Sequence, residues 1–266
     1  MCPQGLVGNA MPKDTLTLSL FGTFLDRTSE FADNVKLLRV CGMGEPLMNP
    51  HLSDMMAMGR ERGCFGRIEV ITNGILLTPA ISESLCCSVD RIIISVNALD
   101  KMLADRVSYL YGVSGDSTIH VKTTYDVVST PKKQDEFFAL YGDICDEIQI
   151  EHVCPIWPRL PVGQDQQFRW GTKPIAHHVC PQIFKGLEVQ ANGDVIPCCV
   201  DWERINLLGN IATDLLVDIW NGRKLRVLRE SHLHGEKGQT APCRDCRMND
   251  YCETDNLDEL LRATDE

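Results

Sequence analysis

The chain has 266 residues, 44% of them hydrophobic and 24% charged, and its 37 acidic against 26 basic residues leave a formal net charge of −11. That acidity excludes broad electrostatic binding to nucleic acid or to anionic membrane surfaces, and no run approaches the roughly 20 apolar residues of a membrane span. The first residues lack the basic and apolar regions of a secretory signal. Thirteen cysteines therefore read as reduced thiols of a cytoplasmic metal protein, because disulfide frameworks favour small, loop-rich secreted domains.

In chain order, Met1 to Gly5 pass at once into a loop rich in Gly, Asn, Pro and Lys. Residues 16–32 then read as a helix whose apolar positions include Leu18, Phe21, Phe24 and Leu25. Val35 to Cys41 is a short buried strand that ends in Gly42-Met43-Gly44-Glu45-Pro46. The next helix starts near Asn49, with Pro50 at its first position and Gly63 as its stop. Strand Arg67 to Ile71 closes in Thr72-Asn73-Gly74. A short helix from Pro79 to Cys87 leads to strand Arg91 to Val96, whose Ile92-Ile93-Ile94 run suits burial on both faces. Ser95 and Asn97 mark its exit. Helix 99–112, strand 118–128, helix 132–146 and strand 147–153 complete about five strand–helix alternations. Such alternation predicts a parallel sheet with right-handed crossovers, either open or a complete or partial (β/α) barrel. Its polar and glycine residues gather at the strand C-termini, the rim at which such folds bind ligands.

A turn-rich linker follows at about 155–174. Beyond it, Asn192-Gly193 between two apolar runs predicts a hairpin, and residues 213–230 predict one amphipathic helix. Six of the thirteen cysteines fall between Cys180 and Cys252. They form single sites, Cys180 and the adjacent Cys198 and Cys199, then the pair Cys243-x-x-Cys246, then Cys252. Thiolates so spaced suit tetrahedral zinc or an iron–sulfur cluster, and spacing alone leaves both open. Cys64, Cys86, Cys87 and Cys145, set among apolar residues, read as small core residues. His177-His178 read as solvated linker residues and Asp201-Trp202-Glu203 as a turn. Glu151-His152 end a strand that faces the expected cavity. The tail from Asp255 reads as a short acidic surface helix.

Taken together, these motifs resemble the radical S-adenosylmethionine (SAM) enzymes that carry a C-terminal SPASM or twitch domain. Gly42-Met43-Gly44-Glu45-Pro46 resembles the family's G-G-E-P loop, which contacts the amino group of SAM. Thr72-Asn73-Gly74 resembles its T-N-G. Ser95 and Asn97 match positions facing the ribose and methionine carboxylate. Cys2-Pro3 resembles the end of the C-x-x-x-C-x-x-C loop that holds the SAM-cleaving 4Fe-4S cluster. Gly193-x4-Cys198, Cys243-x2-Cys246-x5-Cys252 and the Ile219-Trp220-Asn221 helix match SPASM spacing. The resemblance implies an α/β fold: a partial (β/α) barrel over residues 1–154, a linker at 155–174, a small cluster domain at 175–255 and an acidic tail at 256–266. It implies SAM contacts at Gly42, Gly44, Glu45, Pro46, Thr72, Asn73, Ser95 and Asn97, and metal ligation by Cys2, Cys180, Cys198, Cys243 and Cys246. Cys199 and Cys252 stand in reserve. Asn256 replaces a cysteine that a second auxiliary cluster would need, so one auxiliary 4Fe-4S cluster is expected. Only Cys2 of the first loop's three cysteines is present, so the SAM-cleaving cluster is expected to be incomplete and the sequence to lack its first strand.

By this resemblance the protein binds iron–sulfur and SAM, and a 5′-deoxyadenosyl radical abstracts hydrogen from a peptide, sugar or cyclitol. A flavodoxin or ferredoxin would supply electrons. The alternative is a non-catalytic iron–sulfur or zinc protein, acting as electron carrier or binding module.

Overall fold

The computed structural model describes residues 14–33, 35–158, 169, 177–239, 241–252 and 255–261. Cys2 and most of the expected linker lie outside these residues. The chain divides into two units, one spanning Thr17–Glu151 and one containing His152–Glu266.

Five parallel strands organise the first unit in the order β1-β2-β3-β4-β5. They are β1 (Leu38–Val40), β2 (Ile68–Thr72), β3 (Arg91–Ser95), β4 (Thr118–Thr124) and β5 (Glu147–Glu151). Helices α1 (Leu18–Thr28), α2 (Leu52–Arg62), α3 (Pro79–Cys86), α4 (Lys101–Gly112) and α5 (Pro131–Tyr141) lie between and before them. Local chemistry starts and stops these helices. Thr17, Thr78, Asp100 and Thr130 cap α1, α3, α4 and α5 through their side-chain oxygens, satisfying amide groups that a helix N-terminus leaves without partners. Gly63 ends α2 at φ 67°, a left-handed conformation that suits glycine.

Strand alternation then divides the sheet's side chains between two faces. Ile68, Val70, Ile92, Ile94, Ile119 and Val121 are at most 1% exposed. Ile68 and Leu38 approach Gly59 of α2, which places this apolar set on the helix-packed face. The opposite face carries charge. Arg39 is in register with Glu69 and His120 with Glu147. Ion pairs join Arg39 and Arg67 to Glu69 at 2.8 and 2.7 Å, and Lys122 to Glu151 at 3.1 Å. Arg91 binds Glu147 and His120, the latter at 2.8 Å.

Several element ends differ from the sequence expectation. The helix expected from Asn49 begins at Leu52, since Asn49 instead accepts the His51 N–H at 3.0 Å and a 3₁₀ turn occupies Pro46–Met48. Strand β4 stops at Thr124, whose carbonyl accepts the N–H groups of Val127 and Val128 in a turn. Helix α5 stops at Tyr141, and Asp146 turns its carboxylate to the Ile119 N–H at 2.7 Å. Cys64 is buried, Cys86 and Cys145 are half-buried, but Cys87 is exposed at the end of α3.

The second unit is built from short pieces: α6 (Gln182–Lys185), a three-stranded antiparallel sheet of β6 (Glu188–Val189), β7 (Asp194–Ile196) and β8 (Gly209–Asn210), then α7 (Leu216–Asn221), α8 (Arg223–Leu233) and α9 (Met248–Tyr251). The expected hairpin turns at Gly193, at φ 89° and with Asn210 Oδ1 only 2.8 Å from where a Cβ would stand. The single helix expected over 213–230 is two. Gly222 adopts φ −68°, ψ 158°, which leaves helical geometry and breaks the run between α7 and α8. A Cβ there would lie 2.8 Å from the Asp218 carbonyl oxygen. In the acidic tail, Asp258–Leu260 forms one 3₁₀ turn.

Candidate functional site

At the C-terminal rim of the first unit's sheet, Glu45 joins two of the predicted loops. Its Oε1 accepts the Leu47 N–H at 3.0 Å and the Thr72 hydroxyl, and its Oε2 accepts the Asn73 N–H at 2.9 Å. Thr72 Oγ1 accepts the Gly74 N–H at 3.0 Å, while Asn73 Oδ1 accepts the Ile75 N–H at 2.9 Å. Gly42-Met43-Gly44-Glu45-Pro46 and Thr72-Asn73-Gly74 are thus fastened by one carboxylate. Three of its roughly four acceptor positions are used.

Gly42 sits at φ 137°, open to glycine and strained for other residues, and nothing lies within 4 Å of a Cβ at Gly42 or Gly44. The backbone there is accessible to a ligand. Gly74, at φ 71°, is closed instead: a Cβ would meet Leu103 Cδ1 at 2.9 Å. Ser95 is half-buried at the end of β3, and Asn97 is exposed two residues on. Asn97 also lines a cleft of about 450 Å³ with Asp126, Lys133 and Glu136.

In the second unit, Cys180 and Cys246 lie within electrostatic reach of each other and of both Cys198 and Cys243. Burial pushes the Cys198 thiol far up, and the neighbouring Cys199, Cys246 and Cys180 add to the rise. Burial raises Cys243 to about 12 and Cys246 to about 11, Cys180 again adding to both. These thiols resist ionisation because of desolvation and the neighbouring sulfurs, which Lys237 offsets only in part at Cys243 and Cys246. A cationic metal centre provides further positive charge.

Four cysteine thiols can hold tetrahedral zinc or the corners of a four-iron cluster. Cys154, Ile156, Val200, Met248 and Tyr251 form an apolar group against which Cys198, Cys199, Cys246 and Cys252 pack. The two reserve cysteines therefore stand beside this site.

Several further residues support this site; Asp201 forms the turn expected of it, whereas the parts played by Lys237, Asn249 and His232 escaped the sequence reading. Asp201, 1% exposed, accepts the Ile205 and Asn206 N–H groups at 2.9 and 2.8 Å, shaping the turn after Cys199. Arg229 on α8 bonds to the carbonyls of Ile183 and Trp220 at 2.9 and 3.0 Å, with its guanidinium 4.0 Å from the Trp220 ring centre. It ties α6, and so the turn after Cys180, to the helix pair. Lys237 bonds to Asn249 Oδ1 at 2.7 Å, and Asn249 donates to the carbonyl of His177. His177 is buried rather than solvated, while His178 is exposed. His232 is completely buried, and burial lowers its pKa to about 4. Its spacing from Leu225 and Leu228, seven and four residues on, was the available signal: a polar residue on an apolar helix stripe.

Residues 180–247 match the family model of SPASM, an iron–sulfur cluster-binding domain. No curated protein sequence matches the chain. Among solved structures, the chain is similar to BtrN in complex with AdoMet and 2-DOIA, at 20% identity and TM-score 0.63 over 92% of this chain and 85% of that one. It is also similar to anSMEcpe with bound AdoMet, at 13% identity and TM-score 0.58 over 91% and 84% of the two chains. Streptococcus suis SuiB matches at 13% identity and TM-score 0.56, over 88% of this chain and 65% of that one. The shared fold is an α/β partial barrel followed by a C-terminal SPASM domain.

Proposed function

We propose that this chain is a radical SAM oxidoreductase or maturase that holds one auxiliary 4Fe-4S cluster through Cys180, Cys198, Cys243 and Cys246 and binds SAM at the rim around Glu45. The observation that carries the reading is the group of neighbouring buried and half-buried cysteines within the segment that matches an iron–sulfur domain. When bound, SAM and a reduced cluster supply a 5′-deoxyadenosyl radical, which removes a hydrogen atom from the substrate.

The protein's part is orientation and electrostatics. Open backbone at Gly42 and Gly44 offers carbonyl groups to the SAM ammonium, and Glu45 adds its remaining acceptor capacity. Pro46 sets the turn beside it, and Thr72 and Asn73 hold the carboxylate in place. Ser95 and Asn97 are assigned to the ribose and the methionine carboxylate. Cys2 is assigned to the SAM-cleaving cluster.

For the substrate, the solved relatives hold either 2-DOIA or a Cp18Cys peptide. The charged sheet face, with Lys122 and Glu151 paired near its rim, favours a sugar or cyclitol over an apolar peptide segment, because it offers both donors and acceptors to hydroxyl groups. A flavodoxin or ferredoxin is the proposed reductant.

Anaerobic reconstitution followed by iron, sulfide and zinc counting tests the auxiliary site. The reading predicts about four irons and four sulfides assigned to these cysteines. Bound zinc without sulfide would overturn it.

A further inference from the structure

We propose that His232 donates a hydrogen bond from Nε2 to a sulfur of the auxiliary cluster and so raises its reduction potential; the proposal rests on the cluster reading above. Helix α8 carries Leu225, Leu228 and His232 as its buried residues, and the imidazole has no exposure. Its Nδ1 accepts the Cys180 N–H at 3.3 Å. That bond occupies the Nδ1 lone pair, so the neutral ring carries its proton on Nε2. Nε2 is buried and has no hydrogen-bond partner among the described residues.

A buried N–H is rarely left without an acceptor. The ring touches the backbone of Cys180, one of the four cluster cysteines, directly, so the unsatisfied Nε2 belongs to a side chain that borders the cluster site.

The tautomer also excludes ligation. An Nε2 that carries the proton has no lone pair for iron, so His232 acts as a donor while the four cysteines ligate. Hydrogen bonds to cluster sulfurs are among the determinants of cluster potential. A donor favours the reduced state, which places more negative charge on sulfur. His232 is therefore a positioning residue: it fixes the Cys180 backbone with one nitrogen and tunes the cluster with the other.

The test uses the full chain, reconstituted anaerobically, with ¹⁵N-labelled histidine. Pulsed EPR of the reduced wild-type cluster should show a weak ¹⁵N coupling, of the size expected for a hydrogen-bonded rather than a ligating nitrogen. Its disappearance in His232→Gln would assign it among the seven histidines. An EPR-monitored redox titration should give a lower potential for His232→Leu, with His232→Gln closer to wild type because its amide can still donate. A loaded wild-type cluster without ¹⁵N coupling, or a fully loaded His232→Leu with unchanged potential, overturns the proposal alone. If His232→Leu fails to load, the wild-type coupling decides. If the wild-type chain takes up no iron and sulfide, the cluster reading falls and this proposal falls with it.

Discussion

The two units reach their structures by different routes. In Thr17–Glu151, strands of three to seven residues bury an apolar face under helices that carry their own caps. The unit beginning at His152 has two- and three-residue strands and two four-residue helices. Its segments are joined by individual polar side chains: Asp201, Arg229, His232 and the Lys237–Asn249 pair. A repeating apolar pattern can hold the first unit without a cofactor, because each element buries its own stripe. The second has small elements, and one buried and three half-buried cysteines stand where the proposed cluster would add its own bonds to the fold.

The largest expected effect breaks this comparison at its sharpest point. In Cys243→Ser/Cys246→Ser, cluster iron should fall from about four atoms per chain to near zero. The four tryptophans, Trp157, Trp170, Trp202 and Trp220, all lie beyond Glu151. Tryptophan fluorescence therefore reports the second unit, whereas far-UV circular dichroism reports both. The double variant should lose stability in the fluorescence transition and keep the dichroism of the first unit. Simultaneous loss of both signals would show that the first unit also depends on the cluster.

Legibility followed the same division. The five strands of the first unit were readable because apolar runs such as Ile92-Ile93-Ile94 leave few alternatives, and glycine and proline mark their ends. The misplaced ends there, such as Thr124 and Tyr141, lie where a turn or a single carboxylate overrides local propensity. In the second unit, the hairpin at Asn192-Gly193 was readable because its backbone requirement is local. The break at Gly222 was not, since an isolated glycine in an amphipathic pattern is often tolerated. The cysteine spacing indicated a metal centre, yet the roles of His232, Asn249 and Lys237 depend on contacts from 12 to 72 residues apart that no periodicity reveals. Glu45 falls between these cases. Its motif pointed to a ligand, and the structure adds that it fastens one loop to the next.

That second role gives a medium-sized prediction. Glu45→Gln keeps one acceptor oxygen but replaces the other with an amide that cannot accept the Asn73 N–H or the Leu47 N–H. Hydrogen bonds to charged groups are worth about 1.5–3 kcal/mol each, so the first unit should lose about that much stability in urea. The loss should appear in the far-UV dichroism transition and leave the tryptophan transition in place. SAM affinity, measured by calorimetry, should fall as well. An unchanged dichroism transition would show that the two loops hold their places without Glu45.

The smallest effect concerns pH and the charged sheet face. Burial lowers the pKa of His120 below 6.5, and the Arg91 guanidinium adds to that; Lys122 acts in the same direction, while Glu147 and Glu151 oppose it. Arg91 donates to His120 Nδ1 at 2.8 Å, a bond that protonation of Nδ1 would remove. Below its ordinary pKa, His120 takes up a proton more readily in the unfolded chain than in the folded one. Its contribution to stability is therefore present above about pH 6.5 and is lost as pH falls towards the folded-state value. His120→Gln keeps an acceptor for Arg91 and removes the titration. Urea midpoints followed by far-UV dichroism between about pH 7.5 and 5 should decline less steeply for this variant than for wild type, with no matching change in the tryptophan transition. Equal slopes would show that His120 does not set the acid sensitivity of the first unit.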